Sequence, residues 1–349
     1  MVIMAASRLR MLAAAMVDRY SRQVIFIGED GQHKLSRSYA AVIGCGALGT
    51  IIATSLVRAG VGKVRIIDRD FIEYHNLQRQ VLFDEDDIRN QLPKAVAAER
   101  HLKKVNSSVE IEGIVADVNH TNIEGLVGDA DVILDGLDNF ETRLLINDIS
   151  LKRKIPWVYG GAIAAFGMTL TIIPKETPCF RCFSPSAVRR GAIQTCDTAG
   201  VINPIPFIIG SWQSAEAMKL LIGDGDINRE LITIDVWKGT CHHLKIGPRP
   251  ACPACQGKYE FLEGKLGGKT AVLCGQNAVQ VYSSRMVKLA FPELAAHLKP
   301  VGDVSYNDFM LRFLVDAYEM VIFPDGRAIV KNTADESVAR GLYAKYIGT

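Results

Sequence analysis

The 349-residue chain has no excess of either charge: 40 basic against 38 acidic residues leave a formal +2. No global field therefore recommends nucleic acid as a partner, and any basic cluster must be a local, dedicated site. It also has no apolar run of the ~18 residues needed to span a bilayer. The longest candidate, Val201 to Trp212, is broken by Pro204 and Pro206, so membrane insertion is not expected. There is no internal repeat and no low-complexity tract. No convincing cleavage site follows Met1 to Met16, although Arg8 and Arg10 followed by Met11-Leu-Ala-Ala-Ala faintly imitate a targeting peptide. Residues 1–17 read as a flexible N-terminal extension.

What is present is a sizeable core and a pattern of cysteines. With 48% hydrophobic residues, the chain has room for one large α/β domain plus an appendix. Four of its eight cysteines form two Cys-x-x-Cys pairs, Cys179/Cys182 and Cys252/Cys255, flanked by Pro178 and Pro253. Two such turns aim four thiolates at one ion and close a tetrahedral site with no open position, which is how a structural Zn²⁺ is held. The competing reading is four unrelated surface or core thiols. Zinc-type pairs suit a reducing cytoplasm better than a secreted disulfide framework.

The apolar run Tyr39 to Ile43 enters Gly44-Cys45-Gly46-Ala47-Leu48-Gly49, and Thr50 to Arg58 then has helical composition. The next strand, Lys63 to Ile67, stops at Asp68, about 20 residues past the glycines, where a carboxylate can meet a ribose. Further alternation predicts a helix over 93–105, strands at 109–114 and 131–135, a helix over 141–152 and a strand at 157–159. That order implies a doubly wound, Rossmann-like, mostly parallel sheet. Beyond Gly161, apolar strands at 168–173, 231–236 and 241–246, with a helix around 208–221, read as an antiparallel continuation. Residues 18–256 form the expected main domain and 257–270, polar and glycine-rich, a linker. Residues 271–349 read as a small α+β accessory domain with a hairpin turn at Pro324-Asp325-Gly326.

Around the glycine loop lie Arg19-Tyr20-Ser21-Arg22-Gln23, Asn76-Leu77-Gln78-Arg79-Gln80, Pro93-Lys94 and Asp135-Gly136-Leu137-Asp138-Asn139. A dinucleotide carries about two phosphate charges and ATP about four, so two arginines and a lysine converging here suit a triphosphate. Asp138, at the carboxyl end of a parallel strand, is placed to hold Mg²⁺. Simpler readings stay open for each: a solvated ion pair for Arg22 and Arg79, a helix cap for Asp138, an exposed first-turn lysine for Lys94.

In this order the motifs resemble the ThiF/MoeB/HesA family of ubiquitin-activating-type adenylyltransferases, over roughly residues 18–256. The resemblance implies use of Mg-ATP to adenylylate the C-terminal glycine of a small ubiquitin-fold sulfur carrier ending in Gly-Gly. By position, Gly44, Gly46 and Gly49 would form the nucleotide loop and Asp68 would bind ribose. Asn76, Arg79 and Lys94 would contact phosphates and Asp138 would hold Mg²⁺. Arg22 would act on the neighbouring subunit of a homodimer. Little side-chain acid–base chemistry is needed, so the absence of an obvious catalytic histidine is no objection.

Cys196 matches a family cysteine in a loop that crosses the carrier tail, where relatives differ in whether it forms a covalent intermediate; an idle thiol is the alternative. Cys45 and Cys241 read as core residues, Cys274 is open, and His242-His243 read as ordinary strand residues. No rhodanese-type cysteine loop is evident near the C-terminus, so the persulfide sulfur donor is expected to be a separate protein. Two other functions compete. One is a family branch that activates a carboxylate on a tRNA nucleoside, disfavoured by the missing basic stripe. The other is a nicotinamide-dependent oxidoreductase with a structural zinc.

Overall fold

A computed structural model describes residues 2–184, 199–266, 271–273, 277–281 and 289–347, with side chains from Arg19 onward except at 271–273. It divides into two units, one holding the described residues up to Ser184 and from Val201 to Lys265, the other holding Ala199, Gly200 and those from Leu266 onward.

The first unit is organised by β1 (Tyr39–Ile43), whose last four residues are fully buried. A strand apolar on both faces belongs in the middle of a parallel sheet. β1 pairs in parallel with β2 (Lys63–Asp68) and β4 (Val132–Asp135); β3 (Glu110–Val115) and β5 (Trp157–Ile163) extend the parallel part. β6 (Phe166–Ile172), β7 (Leu231–Asp235) and β8 (Thr240–Leu244) then continue it antiparallel, giving the order β3-β2-β1-β4-β5-β6-β7-β8. The doubly wound sheet with an antiparallel extension is as the sequence pattern requires.

Helix α1 (Val2–Leu35) is broken at Gly28, whose φ of 75° lies in the left-handed region. α2 (Ala47–Ala59) follows the glycine loop and ends at Gly60, φ 81°, whose N–H donates to Leu56 and Val57 carbonyls. α3 (Glu85–Arg89) and α4 (Lys94–Val105) lie between β2 and β3, α5 (Ile123–Val127) before β4, and α6 (Phe140–Arg153) before β5. The short α7 (Phe180–Phe183) follows β6, and α8 (Pro204–Ile222) precedes β7. No helix among the described residues is long and apolar enough to cross a membrane.

Two expectations are corrected here. Cys241 is not core: β8 is the sheet's edge strand, paired on one side only, and all five of its residues are exposed. The first part of the expected linker is packed structure, since Phe261 and Leu262 are buried. Their N–H groups donate to the buried Asp148 Oδ2 at 2.9 and 3.4 Å, which ties this stretch to α6.

The second unit is a six-stranded antiparallel sheet. Its strands are β9 (Ala271–Leu273), β10 (Ala278–Val281), β11 (Asp303–Tyr306), β12 (Leu311–Val315), β13 (Tyr318–Ile322) and β14 (Ala328–Lys331), in the order β11-β12-β13-β14-β10-β9. Helices α9 (Phe291–Leu298) and α10 (Glu336–Tyr346) cover one face through Phe291, Leu298, Phe313, Met320, Val330 and Tyr343. The hairpin at Pro324-Asp325-Gly326 joins β13 to β14 as expected, closed by Phe323 N–H to the Arg327 carbonyl at 2.8 Å.

Candidate nucleotide site and cysteine cluster

Three glycines bring the ends of β1 and β4 and the first turn of α2 into backbone contact. A Cβ on Gly44 would stand 2.6 Å from the Gly136 carbonyl, one on Gly49 would stand 1.9 Å from the Gly44 carbonyl, and one on Gly136 would stand 2.3 Å from it. No side chain fits at these positions. Gly46 is different: its nearest neighbour would be 3.7 Å away, so packing does not demand a glycine there, and the missing side chain keeps the space above the loop open. Gly46 is also the N-cap of α2 and offers no side-chain cap. The N–H groups opening that helix, with the positive end of its dipole, are left for an anion.

Asp68, at the end of β2, is nine-tenths buried and accepts the Cys45 N–H at 2.6 Å and the Asp70 N–H at 2.7 Å. Burial raises its carboxyl above the usual range, with Lys94 pulling the other way. Lys94 is 7% exposed, so the reading as an exposed first-turn lysine is wrong. It opens α4 behind Pro93, its N–H bonded to the Asp70 carbonyl at 2.9 Å and its Nζ 3.3 Å from Asp70 Oδ2. Burial opposes its charge, but Asp70, Asp68 and Asp138 together hold the ammonium protonated well above its ordinary range. The structure thus gathers Asp68, Lys94 and Asp138 beside the glycine loop.

Asp138 is exposed and does not cap α6; Asn139 does, its Oδ1 accepting from Thr142 N–H at 3.0 Å. The turn carrying Asp138 is fixed from beneath. Arg143, buried in α6, donates to Asp135 Oδ2 at 2.9 Å and to the carbonyls of Leu137 and Gly160, and Asp135 Oδ1 accepts the Leu137 N–H at 2.9 Å. Gln213 of α8 adds a bond to the Asp135 carbonyl at 2.9 Å. Burial pushes the Asp135 carboxyl up against the pull of Arg143. Sequence reasoning missed Asp70, Arg143 and Gln213. Asp70 had a signal, standing two residues past the ribose-type carboxylate; Gln213 had none, since it arrives 78 residues later.

Asn76 is buried and its Oδ1 accepts the Glu73 N–H at 2.9 Å, closing a 3-10 turn over Tyr74–Asn76. Arg79 follows that turn, half-buried, with Nη1 on the His75 carbonyl at 2.8 Å. Arg22 is exposed and lies at the other end of the helices that carry the site. Its neighbour Tyr20 packs where a Gly60 Cβ would stand, Gln23 Nε2 donates to the Ala59 carbonyl at 2.8 Å, and Arg19 Nη1 to the Val105 carbonyl at 2.9 Å. Cys196 and Cys274 lie outside the described residues.

The four paired cysteines do meet. Sγ–Sγ separations are 3.7 Å for Cys179–Cys182, 3.5 Å for Cys179–Cys252, 3.6 Å for Cys182–Cys255 and 3.4 Å for Cys255–Cys179. Four sulfurs at the usual Zn–S distance of about 2.3 Å would be separated by about 3.8 Å, so the set is compatible with zinc. The Arg249 N–H also points at Cys182 Sγ, 3.4 Å away. Burial pushes the Cys255 thiol up to about 12 and raises Cys179 as well; a cation is what would let this cluster carry several thiolates. Behind it Phe180 packs among Trp157, Tyr159, Phe140 and Phe183. A second group of potential ligands, Asp84, Asp87 and His101, is accounted for by the cap of α3, in which Asp84 and Asp87 bond each other's N–H groups.

The ThiF family model matches residues 20–254. The chain is 43% identical over 339 residues to the sulfur carrier protein ThiS adenylyltransferase of Bacillus subtilis (strain 168), covering 95% of this chain and 100% of that protein. It is 34% identical over 242 residues to the protein of the same name from Escherichia coli (strain K12), covering 68% of this chain and 95% of that one. Among solved structures, Escherichia coli MccB with ATP superposes with a TM-score of 0.60 over 68% of this chain and 74% of that one, at 24% identity, a likeness of fold. On these matches, and on the glycine loop and charged cleft that accompany them, the chain belongs to the ThiF family.

Proposed function

We propose that this protein is an adenylyltransferase that uses Mg-ATP to adenylylate the C-terminal glycine of a small ubiquitin-fold sulfur carrier, releasing pyrophosphate. The observation that carries the reading is the buried Lys94, held charged by Asp68, Asp70 and Asp138 beside the uncapped start of α2. In a ThiF-family chain that combination suits a triphosphate and a divalent cation better than a dinucleotide. Its ThiF-family relatives reported above carry the name of that activity.

The carrier's carboxylate is already ionised, so the site needs no general base. It must hold two anions together in line while a carboxylate oxygen bonds to the α-phosphorus and the bond to pyrophosphate breaks. Asp68 would take the ribose. The α2 N-terminus, Asn76, Arg79 and Lys94 would hold the phosphates. Asp138, exposed and free of capping duty, would hold Mg²⁺, which supplies charge neutralisation of the triphosphate. The Asp135–Arg143 pair positions the Asp138 turn. The four cysteines would hold a structural Zn²⁺.

Arg22 fits a homodimeric site. α2 is 13 residues long, about 20 Å, and Tyr20 and Gln23 are fixed at its far end, which is more than an arginine side chain spans. Arg22 would therefore serve the partner's phosphates. The exposed Ile25 and Phe26 just after it give an apolar patch for a subunit to cover. Cys196 is kept as the candidate for a later covalent step, its thiolate displacing AMP from the acyl-adenylate, with a separate protein supplying the persulfide sulfur. Incubation of the protein and Mg-ATP with each candidate carrier, followed by mass spectrometry of the carrier, tests the reading. A carrier heavier by one AMP is expected, and carriers that all stay unmodified would refute it.

A further inference from the structure

Gln80 closes the motif Asn76-Leu77-Gln78-Arg79-Gln80, and the account above gives it no role. It is 3% exposed, and its N–H completes the turn on the Asn76 carbonyl at 2.9 Å. Among the described residues no side-chain hydrogen bond of Gln80 to the rest of the fold is seen. Oε1 is sealed from solvent with no hydrogen-bond partner among the described residues. Nε2 lies 3.9 Å from where a Cβ on Gly46 would stand. A buried amide with an unsatisfied acceptor costs stability, and such costs concentrate at functional sites.

The amide nitrogen borders the first turn of α2 behind Gly46, which has no side-chain cap, and the Gly136 carbonyl borders the same point, 3.7 Å from where a Gly46 Cβ would stand. The N–H groups of an uncapped helix start, with an amide N–H beside them, fit an anionic oxygen. Which oxygen follows from the neighbouring contact. Cys45, adjacent to Gly46, donates its N–H to Asp68 Oδ2 at 2.6 Å, so this part of the loop lies next to the carboxylate assigned to ribose. The phosphate nearest a ribose is the α-phosphate.

Resting on the adenylylation reading, we infer that Gln80 is a substrate-contacting residue whose Nε2 donates to a non-bridging oxygen of the α-phosphate, opposite the N–H groups of α2. As the carrier carboxylate attacks, charge stays on those oxygens while the bond to pyrophosphate breaks. A neutral donor fixed in place stabilises that charge without reorganising and without adding a titrating group.

The test uses full-length Gln80→Leu and Gln80→Glu, with carrier-dependent exchange of pyrophosphate into ATP, Mg-ATP affinity and melting temperature measured on each. Gln80→Leu removes the unpartnered acceptor along with the donor. It should melt at or above wild type while the exchange rate falls about 10–100-fold, near the range seen when one such donor is lost, with Mg-ATP affinity within about threefold. Gln80→Glu keeps the shape, loses the donor and sets a carboxylate against the phosphate, so it should lose at least as much. Should Gln80→Leu fail to fold, Gln80→Glu decides alone. Exchange within twofold of wild type in a folded variant overturns the inference, as does a lowered melting temperature with rate lost only in proportion to unfolded protein. Wild-type protein that binds Mg-ATP but exchanges no pyrophosphate with any carrier refutes the adenylylation reading instead.

Discussion

At the cysteine cluster contacts close inward: Cys179 and Cys252 are fully buried and Phe180 between the ligands is locked into aromatic rings and onto Asn147 Oδ1 at 2.8 Å. At the nucleotide cleft, some of the same sheet's strand ends do the reverse. Asp138 is exposed, Gly46 leaves the start of α2 without a side-chain cap, and Lys94 is kept charged in a nearly buried position by carboxylates. One site stores folding energy and the other spends it to keep polar groups available. Substitutions at the first should move stability, and substitutions at the second should move rate.

The largest effect should come from the cluster. Cys179→Ser or Cys252→Ser should cost several kcal/mol, on the order of a lost structural metal ligand, and metal analysis of wild type should find about one zinc per chain. Zinc-free protein with unchanged melting would place these cysteines outside any metal role. Next, Asp138→Ala and Arg79→Ala should each lower carrier-dependent pyrophosphate exchange by about 10²-fold or more, roughly 3 kcal/mol of barrier, with melting unchanged. Near-normal exchange in either would remove that residue from the site.

A smaller effect separates the two regions by pH. Burial raises the Asp148 carboxyl to about 6 against an ordinary 3.8. The stability it contributes is therefore present below pH ~4 and lost as pH rises through about 6, on the order of 2–3 kcal/mol. Asp148→Asn does not titrate. In denaturant unfolding, its stability relative to wild type should improve by up to that amount between pH 4.5 and pH 7.5. A pH-independent difference would show that Asp148 does not gain this proton preference on folding.

Much of the cleft was legible because its signals are local in sequence. A strand running into glycines, a helix behind them and a carboxylate at the next strand's end lie within 30 residues, and the structure joins them through the Cys45–Asp68 bond. The cysteine pairs were legible through spacing alone. What supports these groups was not. Arg143 reads in sequence as one more helical cation, yet it is buried beneath the Asp138 turn, and Gln213 reaches that turn from another helix. Cys241 was misread because an apolar run does not say whether its strand lies inside the sheet or at its edge. The linker was misread because two apolar residues, Phe261 and Leu262, sufficed to dock a polar stretch once Asp148 accepted their N–H groups. From Leu266 onward the second unit lies beyond residues 20–254 of the family match, yet most of that stretch must fall within the 339 residues shared with the Bacillus subtilis protein.

The most direct measurement is carrier-dependent exchange of labelled pyrophosphate into ATP by the full-length protein, paired with thermal stabilisation by Mg-ATP and by NAD in the same preparation. The account predicts exchange only when a carrier with a free C-terminal glycine is present, together with stabilisation by Mg-ATP and none by NAD. Stabilisation by NAD without exchange would contradict it and make the glycine loop and Asp68 part of a dinucleotide site.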